Sequence, residues 1–205
     1  MRKVWSFFLV SLLLFAGTNL FAQEEDESEY PDTDSPWGNF YTEPYTRGDK
    51  TFVISLGVLI PTVFFGIEGN HHGLGLGGTG SLAINYFVTP QVFFGGELGG
   101  MFARTRGGNM LFIIPFGIRA GYQLWFRRFE LPVSLMIGLA PQRYLRDKEY
   151  VGPVIKPGAS LYWRYKPEWS FGANANWWFV PQWPKNGQNT YGNFLELTLS
   201  ARYHF

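Results

Sequence analysis

Two adjacent histidines, His71 and His72, sit in the stretch GIEGNHHGLGLGGTG at 66–80, and His204 stands next to the last residue. Imidazoles hold a metal only when further ligands complete the coordination shell. The chain has no cysteine, and His204 falls at the opposite end of the strand pattern, so no metal is assigned. The same stretch is rich in glycine, but no helix follows whose N-terminus would hold a phosphate. It reads as a surface loop, and its apolar residues Val63, Phe64, Phe65, Leu74 and Leu76 would suit an access route for hydrophobic solutes. Nucleophilic catalysis needs a hydroxyl beside an oriented base. His71 or His72 with Ser81 is the combination on offer; Glu68 is near, but no carboxylate stands at a recognisable orienting spacing. The chain is therefore read as non-enzymatic and without a cofactor.

The sharper chemistry is electrostatic. Glu97, Arg119, Lys156, Arg164, Glu196 and Arg202 all fall on one parity of alternating segments, opposite the bulky apolar residues. Charges enclosed in a narrow space must be paired. Counted along the segments, Glu97 matches Arg119 and Lys156 matches Glu196, while Arg164 and Arg202 fall near the short-turn mouth. Such pairs would act either as an ionic gate across a water path or as a structural plug.

The elements that carry these charges are strands. Period-two alternation runs through 51–60, 80–88, 91–102, 110–124, 130–140, 154–165, 169–180 and 192–205, and helical periodicity is not evident after residue 50. Long gaps at 61–79, 103–109, 141–153 and 181–191 alternate with short ones at 89–90, 125–129 and 166–168. That rhythm is an antiparallel meander with all tight turns on one side. Pro115 and Pro157 fall inside strands, where a closed sheet has no free edge for them; bulges or locally broken ladders are expected there.

One face is bulky and uncharged: Phe52, Ile54, Leu56, Val58 and Ile60 in the first segment, Leu195, Leu197, Leu199, Ala201, Tyr203 and Phe205 in the last. The other face is small or polar, with Gly57, Gly95, Gly99, Gly117, Gly121, Gly138, Gly158 and Gly172 on it. A water-soluble barrel turns bulk inward and shows charge outward. Here the small face lacks Lys and Glu in number, so bulk faces lipid and small polar residues fill the lumen. The fold class is all-β: an eight-stranded antiparallel up-and-down transmembrane β-barrel. Aromatics cluster at the strand ends, as interfacial girdles do. Tyr122, Trp125, Tyr165, Trp169, Tyr203 and Phe205 lie toward the short turns, and Phe102, Phe112, Trp177, Trp178, Phe179 and Tyr191 toward the long loops.

Composition agrees. Of 205 residues, 19% are aromatic and only 16% charged, against a usual ~25% charged. Seventeen bases against 16 acids leave no basic excess for nucleic acid. Residues 1–22 read as a signal peptide: Arg2 and Lys3, the apolar run Val4 to Phe15, then NLFA before QEEDE. Residues 23–49 read as an acidic, disordered segment, with seven acids and no base over 23–36. Residues 50–205 form the barrel.

This combination, with the closing SARYHF, resembles the small outer-membrane β-barrels of the OmpA-transmembrane and OmpW-like kind. The resemblance spans about residues 50 to 205 and implies an outer-membrane location in a double-membraned bacterium, periplasmic termini and turns, and extracellular long loops. It implies a porin-like narrow channel for small or hydrophobic solutes, or a closed structural barrel. The alternative is a surface adhesin or interaction scaffold that contacts host or matrix ligands through its loops. Outer-membrane lipid surrounds such proteins. In that family a C-terminal aromatic after alternating apolar residues is read by the barrel-assembly machinery, and Leu199, Tyr203 and Phe205 match that pattern. Deleting Phe205 is expected to lower the yield of assembled, surface-exposed barrel; normal surface levels would refute the assignment.

Overall fold

A computed structural model describes residues 45–62, 74–105, 110–126, 129–144, 149–182 and 190–205. The expected leader, the acidic run 23–36, His71 and His72 lie outside the described residues. Among the described residues, nine strands occur in chain order. They are β1 (Lys50–Pro61), β2 (Leu74–Phe87), β3 (Val92–Thr105), β4 (Met110–Ile113), β5 (Phe116–Phe126), β6 (Phe129–Tyr144), β7 (Glu149–Lys166), β8 (Trp169–Gln182) and β9 (Thr190–His204).

Each strand pairs antiparallel with its neighbours, and β1 also pairs with β9, from Thr51↔His204 to Pro61↔Phe194. Strands β4 and β5 both lie between β3 and β6, so they form one stave broken at Ile114–Pro115. The sheet is thus a closed barrel of eight staves. Closure leaves no edge, as a backbone in hydrocarbon requires.

The prolines are absorbed locally. At the β4–β5 break, Gly99 N donates to Pro115 O at 2.7 Å and Ile114 N to Pro141 O at 2.9 Å, so the gap stays bridged to both neighbours. Pro157 keeps its pairing with Leu135 on β6. On the β8 side the ladder resumes in constant register, Ile155↔Phe179 then Gly158↔Asn176, skipping Lys156 and Pro157.

Parity decides the faces. Leu56, Ile118 and Leu199 are 69%, 75% and 74% exposed, within a belt of exposed Ile, Leu, Val and Phe around the barrel. Apolar surface on this scale is far beyond what a protein in water shows, and it suits contact with lipid. Inward residues are buried in layers. At the long-loop end Leu59, Met101, Leu111, Ile113, Met136, Val154, Trp178, Val180 and Phe194 form an apolar core. Below it come polar and charged residues, and at the short-turn end Tyr45, Phe87 and Phe93 pack together with Trp125 against them.

Several expectations change. Trp125 does not join the girdle: it shares the inward parity of Gln123 and packs in the mouth cluster. Trp178 is fully buried inside, because its neighbour Trp177 takes the outward position. The long gaps shrink: strand pairing reaches Leu74↔Thr105 and Arg143↔Glu149. GLGLGGTG is therefore largely strand, since Gly77 and Gly78 let the chain lie close against Phe102. Tyr45, which precedes β1, packs into the short-turn mouth.

Inward glycines answer to the close approach of neighbouring strands. Gly117 and Gly138 face one another across β5 and β6. A Cβ on either would run into backbone of the other strand, on Gly117 to within 2.6 Å of Gly138 Cα. Gly138→Ala should therefore destabilise the barrel by ~1–3 kcal/mol, read as a lower urea midpoint in the gel shift between folded and unfolded forms; an unchanged midpoint would contradict the close approach.

Candidate functional site

Inward-facing charges must be neutralised within the barrel, and two clusters do this. In the upper one, Lys156 Nζ on β7 lies 2.6 Å from Glu97 Oε1 on β3 and 3.1 Å from Glu196 Oε2 on β9. Arg119 Nη1 on β5 lies 3.4 Å from Glu97 Oε2, and its Nη2 donates to Ser134 Oγ at 2.9 Å. Asn176 and Trp178 on β8 donate to the two oxygens of Glu196. The Lys156 ammonium also sits 4.9 Å from the Trp178 ring centroid, a cation–π contact. Both expected pairs form, but Lys156 fuses them into one four-charge network of zero formal charge. It reaches Glu97 because β7 and β3 stand nearly opposite across a narrow lumen, which linear counting along the strands does not reveal.

The lower cluster centres on Glu130, which is 0% exposed. Arg202 Nη1 donates to Glu130 Oε2 at 2.7 Å, and Arg164 Nε lies 3.0 Å from Oε1. Arg164 and Arg202 thus sit at the short-turn mouth bound to an acid that the alternation pattern passed over. Glu130 opens the expected segment 130–140 on the parity of Ser134 and Gly138, yet it is not among the inward charges expected. Parity alone would have placed it inside. Arg164 Nη2 approaches His204 Nδ1 at 3.0 Å, and Ser170 Oγ lies 2.7 Å from Nε2. Since Arg only donates, Nδ1 accepts and Nε2 carries the proton to Ser170.

Tyr45 completes this cluster, and nothing in the alternation pattern points to it. Its hydroxyl donates to Glu130 Oε2 at 2.7 Å and accepts from Arg202 Nη1 at 3.0 Å. Burial first, with the Glu130 carboxylate adding to it, pushes the Tyr45 phenol well above its usual range, so it stays a donor. Between the clusters, Asn174 donates to Thr198 Oγ1 at 2.7 Å and to Ser200 Oγ at 3.1 Å, while Tyr162 donates to Asn174 Oδ1 at 3.0 Å. The Arg202 guanidinium lies 3.6 Å from the Tyr162 ring centroid. Near the long-loop end Gln182 donates to Gln142 across the interior. Ser81 lies on the inward side of β2, and the histidines proposed as its partners lie outside the described residues.

A protein-family model matches residues 24–203. A protein of Treponema pallidum (strain Nichols), described as uncharacterised, is 31% identical over 162 residues, covering 72% of this chain and 73% of its own. A Borreliella burgdorferi protein, also described as uncharacterised, is 23% identical over 177 residues, covering 75% and 82%. Among solved structures, Neisserial surface protein A aligns with a TM-score of 0.58 at 9% identity, over 78% of this chain and 98% of its own. The outer membrane protein OprG of Pseudomonas aeruginosa gives 0.56 at 8%, over 78% and 97%. Ail, the attachment invasion locus protein of Yersinia pestis, gives 0.51 at 10%, over 78% and 100%. At these identities the likeness is one of fold: the chain has the architecture of the small outer-membrane barrels.

Removing one member of a buried charge network strands its partners. Glu130→Ala, which leaves two guanidiniums without their anion, is expected to cost ~3–5 kcal/mol of unfolding free energy. A double-mutant cycle with Arg202→Ala should give strong coupling; additive losses would show that the Glu130–Arg202 contact contributes nothing specific.

Proposed function

The chain belongs to the family whose model matches residues 24–203, and on that premise we propose that the protein is a sealed outer-membrane barrel, a structural scaffold that holds its long loops at the cell surface. The observation that carries this reading is the filled lumen. From the short-turn end to the long-loop end it holds an aromatic cap, the Glu130 cluster, a hydroxyl–amide layer, the Lys156 network and an apolar core. Glu130 and Glu196 are 0% and 1% exposed, so neither presents charge to a water path.

The start of β1 and the end of β9 lie at the short-turn end, where Lys50 and Phe205 exchange backbone bonds of 2.9 and 3.0 Å. With the short turns periplasmic, the long connections lie outside. A tilted strand crosses a membrane in ~9–11 residues, yet β6 has 16 residues and β7 has 18. The excess supports a rigid hairpin that stands clear of the bilayer, a platform for contact with host or matrix molecules. Outer-membrane lipid and the assembly machinery are the other partners this reading requires.

A second reading rests on the apolar core at the long-loop end. Eleven apolar residues meet there, a lining suited to a hydrophobic solute in transit rather than to an ion. Liposome swelling and uptake of an apolar dye would distinguish the two.

The direct test is electrical. Purified protein in planar bilayers is expected to give no stepwise conductance. Steady steps from the unaltered protein would overturn the sealed reading, and their persistence in Glu97→Ala and Glu196→Ala would also exclude an ionic gate.

A further inference from the structure

Tyr45 lies ahead of β1. It belongs to no strand, yet it is 4% exposed. Its ring stacks on Phe87 with centroids 3.8 Å apart and planes 12° from parallel. Trp125 flanks it at 6.3 Å and the Arg164 guanidinium lies 5.2 Å from its centroid. Its hydroxyl meets a carboxylate that accepts and a guanidinium that donates, and His204 Nδ1 lies 3.1 Å away. An aromatic slot with a matched acceptor and donor at its floor is how a binding site recognises a phenol.

The attachment of Tyr45 is equally specific. Asp49 accepts from Thr46 N at 2.8 Å and from Thr46 Oγ1 at 3.0 Å, closing a turn at whose corner Gly48 has φ of 107°. Gly48 N donates to Phe87 O, and Phe87 N to Asp49 O, both at 2.9 Å. The turn is tied to the barrel rim and aims the residue before it into the mouth. Thr46 and Arg47 are exposed, so Tyr45 alone among residues 45–47 is buried.

We propose that the short-turn mouth is a phenol-binding site occupied in cis by Tyr45, which plugs the barrel there. The pocket consists of Phe87, Phe93 and Trp125 as walls and Glu130 and Arg202 as the polar floor. When Tyr45 leaves, the pocket takes the phenolic ring of a small molecule in its place. The aromatic stacking selects the ring, and the Glu130–Arg202 pair selects the hydroxyl, since a bare ring leaves both groups without that partner.

The chain lacks cysteine, so a single reporter thiol reads access to the mouth. Ser170 is 0% exposed and lies against His204, and Ser170→Cys is nearly isosteric. In full-length protein folded in detergent micelles, this thiol should react slowly with a charged maleimide. Adding Tyr45→Ala should speed labelling about tenfold or more, as expected for losing hydrogen bonds to charged groups. 4-Methylphenol should then restore slow labelling, and toluene should not. Tyr45→Phe, which keeps the ring and loses the hydroxyl, should label at an intermediate rate. Unchanged labelling in Tyr45→Ala would overturn the plug. Equal protection by toluene and 4-methylphenol would overturn phenol recognition. If Tyr45→Ala fails to assemble, Tyr45→Phe decides: a rate equal to that of the native tyrosine overturns the proposal.

Discussion

Pairing between β1 and β9 is the constraint on which the rest depends. A sheet in hydrocarbon cannot leave a row of amides and carbonyls unpaired, and this pairing removes the last edge. It runs over the whole of β1, and it brings together residues from the two ends of the barrel sequence. Once the sheet closes on eight staves, its interior is narrow enough for side chains to fill. Every inward position must then be small, apolar or paired.

That narrowness explains both the glycines and the charges. Where staves approach closely, as at Gly117 and Gly138, an added Cβ would meet the neighbouring backbone. Where long inward side chains are kept, they reach across the axis. Lys156 spans from β7 to β3 and β9, and Arg202 spans from β9 to β6. These bonds cross-link staves that share no backbone ladder, so they oppose flattening of the barrel as well as neutralising charge. Buried networks of this kind cost desolvation, and their worth lies in fixing one arrangement among several.

The lumen is graded in polarity. Aromatic and charged groups fill the short-turn end, hydroxyl and amide groups the middle, and apolar groups the end near the long connections. The gradient makes the interior continuous with the chemistry at each mouth: a polar anchor for the turn at Thr46–Asp49, and a dry floor beneath the long-loop end. The residue that closes the short-turn mouth belongs to no strand, so its departure would unpair none.

Period two alone determined the fold class, the inward and outward faces, and the inward set Glu97, Arg119, Lys156, Arg164, Glu196 and Arg202, because alternation is a local property that backbone geometry imposes on side chains. Strand ends were less legible. Glycines and prolines at 74–80 and 141–153 resemble loop signals, while pairing with a partner strand carries them as strand. Which charge meets which was decided only by closure. Glu130 meets Arg164 and Arg202 from strands distant in sequence, and Lys156 bridges two acids because the barrel places β7 almost opposite β3. Tyr45 shows the limit most plainly: no period governs a residue outside a strand, and its burial depends on a pocket assembled from β2, β3, β5, β6 and β9, which exists only once those strands have come together.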